Sequence, residues 1–438
     1  MPRVQLPVDH PERALLADEV HARPPAAAVS PAVVSSLALL GADAAESYSR
    51  LRELAAASGV EIPAAEAAHA IVELPDLRVK WERHGEFVSF TFVRPLPGAL
   101  LETLGEFPTA FDAVPADWLR RLPGDTIAAA DIVLVRGGDE PEALDAVGRF
   151  FAPDAPLAGS IVLDGTAQLF TDFVVRGAET GAKRTRWLVV DDGMGPARSA
   201  RLVQRVIEIE TYRMVALLAL PLARAALPEL DSIEHRLAEI TAATAALESQ
   251  VDMEHSQREE RRLLDELTRV AAEVEHSVAE TAFRFSAGQA YWAIVLARIA
   301  EFREQRVGDL RTIGGFLSRR LAPAMNSAAA AAQRQEELSA RIERASTLLR
   351  TRVDVALEEQ NQGLLAAMDR RSQASLRIQQ AVEGLSIIAI TYYGANLVQK
   401  LAAWLSPHHA RGIVAGSIPV IALAAWRVLE RVRRGIDI

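Results

Sequence analysis

Two uncharged apolar runs near the C-terminus restrict this chain more than any other feature. They are "GLSIIAITYYGANLV", Gly384 to Val398, and "GIVAGSIPVIALAAW", Gly412 to Trp426. Each has fifteen residues, short of the roughly 20 that carry a helix across a bilayer. The first reaches spanning length at Leu405 if Lys400 snorkels to the interface, and the second at Leu429 if Arg427 does the same. Tyr392, Tyr393, Trp404 and Trp426 sit where interfacial aromatics belong. Arg370, Arg371 and Arg377 precede the pair, and Arg427, Arg431, Arg433 and Arg434 follow it. The positive-inside rule then puts both chain ends in the cytoplasm and the short connecting loop outside, with Lys400 and Arg411 weakening the bias. Pro419 kinks the second helix, which a neighbouring helix accommodates. The competing reading is a hairpin buried in a soluble domain or lying in the membrane interface, and its argument is length.

The rest of the chain is too polar for a membrane interior. Of 438 residues 24% are charged, which leaves room for two to three domains, most of them soluble. A net charge of −10 argues against nucleic-acid partners. The absence of cysteine excludes disulfides, thiolate catalysis and Cys-ligated zinc. The opening "MPRVQLPVDHPERALLADEV" has no apolar core of signal-peptide length. The expected location is the cytoplasmic (inner) membrane, with the N-terminal bulk in the cytosol.

The pattern predicts an α+β chain in three parts: a cytosolic α/β domain over 1–195, a long helical bundle or stalk over 196–380, and a two-helix transmembrane hairpin with a short outer loop and a basic C-terminus over 381–438. In the first part, "SPAVVSSLALLGADAAESYSRLRELAAASG" reads as two helices with Ser and Asp near their starts. "LRVKWERHGEFVSFTFVR" alternates on both sides of a His-Gly turn, as a hairpin does, with His84 as a turn residue. "TIAAADIVLV", "SIVLDG", "AQLFTDFVVRG" and "RTRWLVVDDG" read as further strands, the domain closing near Met194. From Gly195 a striped helix runs until Pro221 and Pro228 interrupt it. Residues 230–276 carry heptad-like apolar spacing laced with Glu and Arg, expected as a solvated coiled-coil-like face. Further helices are expected over 277–308 and 325–380, with "TIGGF" and Pro323 breaking or bending the chain between them.

Few residues suggest chemistry. His10, Glu12, Glu19 and His21 mix imidazole and carboxylate, a donor set suited to zinc or another transition metal, against the plainer reading of an exposed turn. Asp172, Asp191, Asp192 and Glu210 are carboxylates suited to Mg²⁺. Around them Arg186, Arg201, Arg205, Glu208, Glu210 and Arg213 are expected to form buried or interfacial ion pairs instead. There is no Gly-rich phosphate loop, no HExxH and no G-x-S-x-G, so nothing points to an enzyme.

Two resemblances add to this. "HPERALLADEVHARPP", "LFTDFVVRG" with "TRWLVVDD", "LVQRVIEIETYRMVALLALPLAR", "TIGGFLSRRLAPAMN" and "VEGLSIIAITYY" resemble a bacterial family of uncharacterised membrane-anchored proteins, domain of unknown function 3422. That family implies topology and little chemistry. The last 90 residues or so are similar to CorA-type divalent-metal transporters, which join a cytosolic α/β domain to a stalk helix that enters the membrane. "LLRTRVDVALEEQNQGLLAAMDRR" resembles the stalk, and Tyr393-Gly394-Ala395-Asn396 stands where the family's Tyr-Gly-Met-Asn stands. The resemblance implies a homo-oligomer, a pentamer, with an axial path for Mg²⁺ or another divalent ion. Magnesium sheds its water reluctantly, so a ring of Asn396 carbonyls suits it as a hydrated ion. Gly394 allows close helix approach. Tyr393, Tyr392 and Ala389 share the face of Asn396 on a helix, and Ser386, Leu385 and Val382 continue it inward. Ala395 departs from the motif's methionine, and the loop with Lys400, His408, His409 and Arg411 is basic where acids would concentrate cations. As alternatives, Asn396 is a helix-end cap, and the chain is a non-conducting membrane-tethered scaffold or sensor.

Overall fold

A segment read as helical supplies the inner strand of the sheet. The computed structural model describes residues 8–13, 25–63, 68–99, 101–102, 104–137, 140–152, 154–177, 183–247, 253–405 and 410–436. In it Ala32–Leu40 is strand β1, buried at every position but Leu40. It lies antiparallel between β4 and β5. A strand covered on both faces shows no apolar–polar alternation, so its run of Val, Leu and Ala carries no strand period. The helix that follows, α1 (Ala44–Ala57), starts where Asp43 accepts the Glu46 N–H at 2.8 Å.

The other strands are β2 (His69–Leu74), β3 (Leu77–Arg83), β4 (Phe87–Pro95), β5 (Asp125–Arg136), β6 (Ala158–Val162), β7 (Ala167–Thr171), β8 (Thr185–Asp191) and β9 (Gln305–Arg306). They form a nine-stranded sheet in the order β2-β3-β4-β1-β5-β8-β7-β6-β9. Only the β5–β8 pair is parallel. The β3–β4 hairpin turns at His84, whose N–H donates to Phe87 O at 2.9 Å and whose ring stacks on Phe87.

Both faces of the sheet are covered. On one side α1, α2 (Ala116–Arg120) and α3 (Glu140–Phe150) bring Leu51, Trp118, Val147 and Phe150 into a core with Trp81, Phe90, Val133 and Leu188. On the other side lie α4 (Pro196–Leu217), the end of α6 (Met253–Phe302) and the start of α7 (Ile313–Leu405). Leu202, Val206 and Ile209 of α4, Val295 and Phe302 of α6, and Ile313, Phe316 and Leu317 of α7 pack there with Ile132, Leu169 and Trp187. Each such side chain contributes about 1.5–3 kcal/mol when fully buried. That driving force places α4, α6 and α7 on the sheet.

Among the described residues the chain therefore forms two units: Met1–Thr241 with Leu267–Glu343, and Ala242–Glu266 with Arg344–Ile438. Residues of α4, α6 and α7, all after residue 195, share the sheet's core. The prolines also act differently from expectation. Pro221 falls in the first turn of α5 (Ala219–Leu247), and the break before it is at Leu218. Pro228 lies inside α5 and Pro323 inside α7. Both are exposed, so water can meet the carbonyls that lose their bonds. The stretch 230–276 is divided between α5 and α6, and α6 runs unbroken from Met253 to Phe302.

"TIGGF" starts a helix rather than breaking one. Thr312 Oγ1 accepts the Gly315 N–H at 3.1 Å, and Glu304 accepts the Gly314 N–H through both oxygens at 3.1 and 3.0 Å. Ser160 Oγ accepts the Ile313 N–H and donates to Glu304 Oε1, both at 2.9 Å. A methyl on Gly314 would stand 2.5 Å from Ile299 Cγ2 and 2.7 Å from Glu304 Oε2, so any side chain there would have to displace both.

Further along unit one, α5, α6 and α7 pack together. Arg334 pairs with Asp231 and Glu234, Arg341 with Glu234, and Arg236 with Glu273. Buried Gln335 donates to Ser277 and Thr281 at 2.9 and 3.0 Å.

Candidate functional site

In the second unit α7 carries the first apolar run, and α8 (Ala410–Ile436) carries the second. Both are long and apolar enough to cross a membrane, with windows of mean hydropathy 1.3 of which 0% and 6% are buried. Hydroxyls inside the runs bond to their own helix. Ser386 Oγ donates to Val382 O at 2.9 Å, Thr391 Oγ1 to Ile387 O at 2.7 Å and Ser417 Oγ to Val414 O at 2.9 Å. A polar group that closes its bond locally can face an apolar solvent at small cost.

The two helices meet at Gly394. A methyl there would stand 2.8 Å from Ile421 Cγ2. Ile387, Thr391, Val398 and buried Ala402 lie on the same side of α7 as Gly394, and Val414, Ser417, Ile421 and buried Ala425 form one face of α8. Successive helix residues are rotated by about 100°. Asn396 therefore lies roughly 200° around the axis from Gly394.

Val382, Ala389, Tyr393 and Asn396 share that opposite side, with Leu385 and Tyr392 beside them and Ser386 at the margin. Val382, Leu385, Tyr392 and Tyr393 are 58, 67, 64 and 71% exposed. Asn396 and Ser386 are half-buried. The stripe faces away from α8, whereas Gly394 faces toward it. Continued by heptad steps along α7, the Asn396 line meets Ser375, Met368 and Asn361 and the Tyr393 line meets Gln379, Ser372 and Leu365, none of them charged, whereas the Tyr392 line meets Ile378, Arg371 and Leu364. Asp369, Arg370 and Arg377 lie off it.

The interface candidates Arg377, Lys400, Arg427 and Arg431 are exposed, and Trp426 is half exposed. The Trp404 side chain lies outside the described residues. So do Glu19 and His21; His10 is exposed, and its Nδ1 accepts the Glu12 N–H at 3.2 Å. Among the described residues no group of three or more His, Asp or Glu side chains is placed to hold a metal.

Of the four carboxylates considered for Mg²⁺, Asp172, Asp191 and Glu210 are engaged in the fold, and Asp192 is exposed. Asp172 pairs with Arg176. Asp191 accepts the Met194 N–H at 2.6 Å. Buried Glu210 accepts Trp187 Nε1–H at 2.8 Å and Arg213 at 2.6 Å. Arg205 pairs with Glu301, and Glu208 with Arg298. Arg186 lies over the Phe107 ring.

The sequence reading missed one buried polar cluster. Asp131 Oδ1 accepts from Ser35 Oγ at 2.5 Å and Thr109 Oγ1 at 2.7 Å, and Oδ2 pairs with Arg184 at 3.0 Å. Burial raises the Asp131 carboxyl above its ordinary value, opposed by Ser35, Arg184, Thr109 and Arg186. Burial also lowers the Arg186 guanidinium, with the charge of Arg176 adding to it. A lone acid inside "TIAAADIVLV" was the available signal.

A comparison with curated proteins finds no match. The chain itself, over residues 8–436, belongs to the family described as protein of unknown function (DUF3422).

Proposed function

We propose that the protein is anchored in the cytoplasmic membrane by the α7–α8 hairpin, with both chain ends inside, and that it assembles into a CorA-like homo-oligomer conducting a divalent cation. The observation that carries this reading is the uncharged stripe of α7, exposed and turned away from the helix's own hairpin partner. Two helices enclose no pore, so conduction requires copies of the stripe around an axis. A pentamer is the assembly the CorA resemblance favours. Association is supported outside the apolar run too. Leu364, Leu365, Met368, Leu376 and Ile378 of α7 are exposed in the single chain, and full burial of such side chains contributes about 1.5–3 kcal/mol each.

Within such an assembly Asn396 would offer neutral carbonyl and amide groups to a hydrated ion near the outer end, with Tyr393, Tyr392, Ala389, Ser386 and Val382 leading inward. Gly394 has a different task in this reading, holding α8 against α7.

The second reading is a non-conducting, membrane-tethered scaffold or sensor. The basic loop and Ala395 favour it. Flux separates the two. Purified protein in liposomes is expected to pass Mg²⁺, with Asn396→Leu reducing flux while the oligomer stays intact. An intact wild-type oligomer that passes no divalent ion leaves the scaffold.

A further inference from the structure

The first unit holds a cationic cavity that no part of the transport reading uses. It is an open surface pocket of about 540 Å³ between the start of α4, the end of α6 and the β6–β7 turn, with Arg198, Arg201 and Arg303 exposed and Arg205 half-buried. Its charged lining is Arg198, Arg201, Arg205, Arg303 and a single carboxylate, Glu301, with Leu163 on the wall. In a chain of net charge −10, four guanidiniums around one cavity are a marked local reversal of sign.

The ion pairs leave two of them over. Glu301 is shared by Arg205 and Arg298, at 2.6 Å each, and Arg303 pairs with Asp164 at 2.7 Å. Among the described residues Arg198 and Arg201 have no carboxylate partner. They lie three residues apart on α4, with Arg205 a further turn along, so all three project to one side. Their position opposes the ordinary electrostatics of a helix. The first turn of α4 has no acid and no side-chain cap, and its positive dipole end disfavours cations. An anion in the cavity would reverse that penalty, meeting the guanidiniums and the dipole together.

Leu163 and Asp164 in the β6–β7 turn and Arg303 just past the end of α6 adopt left-handed backbone, at φ 52°, 59° and 49°, as tight hairpin turns and helix C-termini commonly do. The Leu163 N–H donates to Phe302 O at 2.9 Å, tying the turn to the end of α6. Among the described residues no aromatic ring lines the pocket, so none offers a platform for a nucleobase.

We infer that this cavity binds a compact, multiply charged phosphate, a phosphomonoester or diphosphate, clamped by Arg198 and Arg201 with Arg205 and Arg303 behind them. The group can belong to a soluble compound or to a lipid headgroup. The inference is independent of ion conduction.

The probe is inorganic pyrophosphate, titrated calorimetrically into the full-length protein in neutral detergent at fixed ionic strength. Saturable binding is expected, weakened at least tenfold in Arg198→Gln/Arg201→Gln and less in Arg198→Lys/Arg201→Lys, which keeps charge but loses the guanidinium fork. The thermal midpoint of each variant without pyrophosphate checks that the fold is retained. Repeating the titration in nanodiscs with and without phosphatidic acid locates the source. Competition by phosphatidic acid supports the site as a headgroup site, and indifference supports it as a site for a soluble phosphate. No binding at millimolar pyrophosphate, or equal binding by wild type and the Gln pair, overturns the inference.

Discussion

Replacing Glu304 tests how the long helix α7 is fastened to the sheet. Its carboxylate takes the Gly314 N–H and the Ser160 hydroxyl, at 3.0 and 2.9 Å. Glu304→Ala removes the acceptor of both donors in a partly buried place, at about 1–3 kcal/mol each. The expected loss is about 2–5 kcal/mol, which for a unit of this size lowers the melting midpoint by roughly 3–8 °C. Glu304→Gln keeps one oxygen for the same two donors, and the expected loss is under about 1 kcal/mol at neutral pH.

The pH dependence is a sharper check. Burial raises the Glu304 carboxyl above the ordinary glutamate value, opposed by hydrogen bonds from Ser160, Gly314 and Ile313. The folded protein thus holds the proton more tightly than the unfolded chain, so this group's stabilisation is complete below the unfolded pKa and is lost as pH rises through the folded one. Glutamine is neutral throughout. The midpoint of Glu304→Gln relative to wild type should therefore rise as pH increases from about 4 to 7. Thermal unfolding of the full-length protein, followed by tryptophan fluorescence, gives both results. An Ala variant melting within a degree of wild type, or a Gln variant as unstable as Ala, refutes the capping argument.

Gly394→Ala forces the hairpin apart at Ile421, at a cost of about 1–3 kcal/mol; it should lower the detergent unfolding midpoint, and adding Ile421→Ala should restore part of the loss. Arg213→Ala leaves buried Glu210 without its cation, at about 3–5 kcal/mol by denaturant titration, whereas the pair Glu210→Gln/Arg213→Met should lose much less.

How much of this could be read from residues alone depended on how many faces of a segment are buried. The β3–β4 hairpin was legible because its strands alternate around a recognisable turn. β1 was not, because both its faces are covered and Ser35 and Ser36 interrupt the apolar run without marking a boundary. Ser35 is there for Asp131, a partner 96 residues away. Pro228 and Pro323 misled for another reason. Local propensity disfavours proline within a helix by about 3 kcal/mol, but burial of neighbours such as Ala223, Leu230, Leu321 and Met325 outweighs it. The Gly-Gly of "TIGGF" read as a break because its cap, Glu304, comes from the link between α6 and β9, ten residues earlier. In the hairpin, helical spacing alone groups the candidate residues on one side of α7. The arginine cavity escaped because its lining comes from three places in the chain, and no local window contains them together.

The central claim is that α7 and α8 cross the membrane with the loop outside, and the missing cysteines make it directly measurable. Single substitutions Arg411→Cys and Gly363→Cys would each give one thiol in an otherwise thiol-free chain. Intact cells expressing either variant are treated with a membrane-impermeant maleimide, before and after lysis. The account predicts that Arg411→Cys labels in intact cells and that Gly363→Cys labels only after lysis. Protection of both thiols until lysis, with release of the protein from membranes by alkaline carbonate, would contradict it.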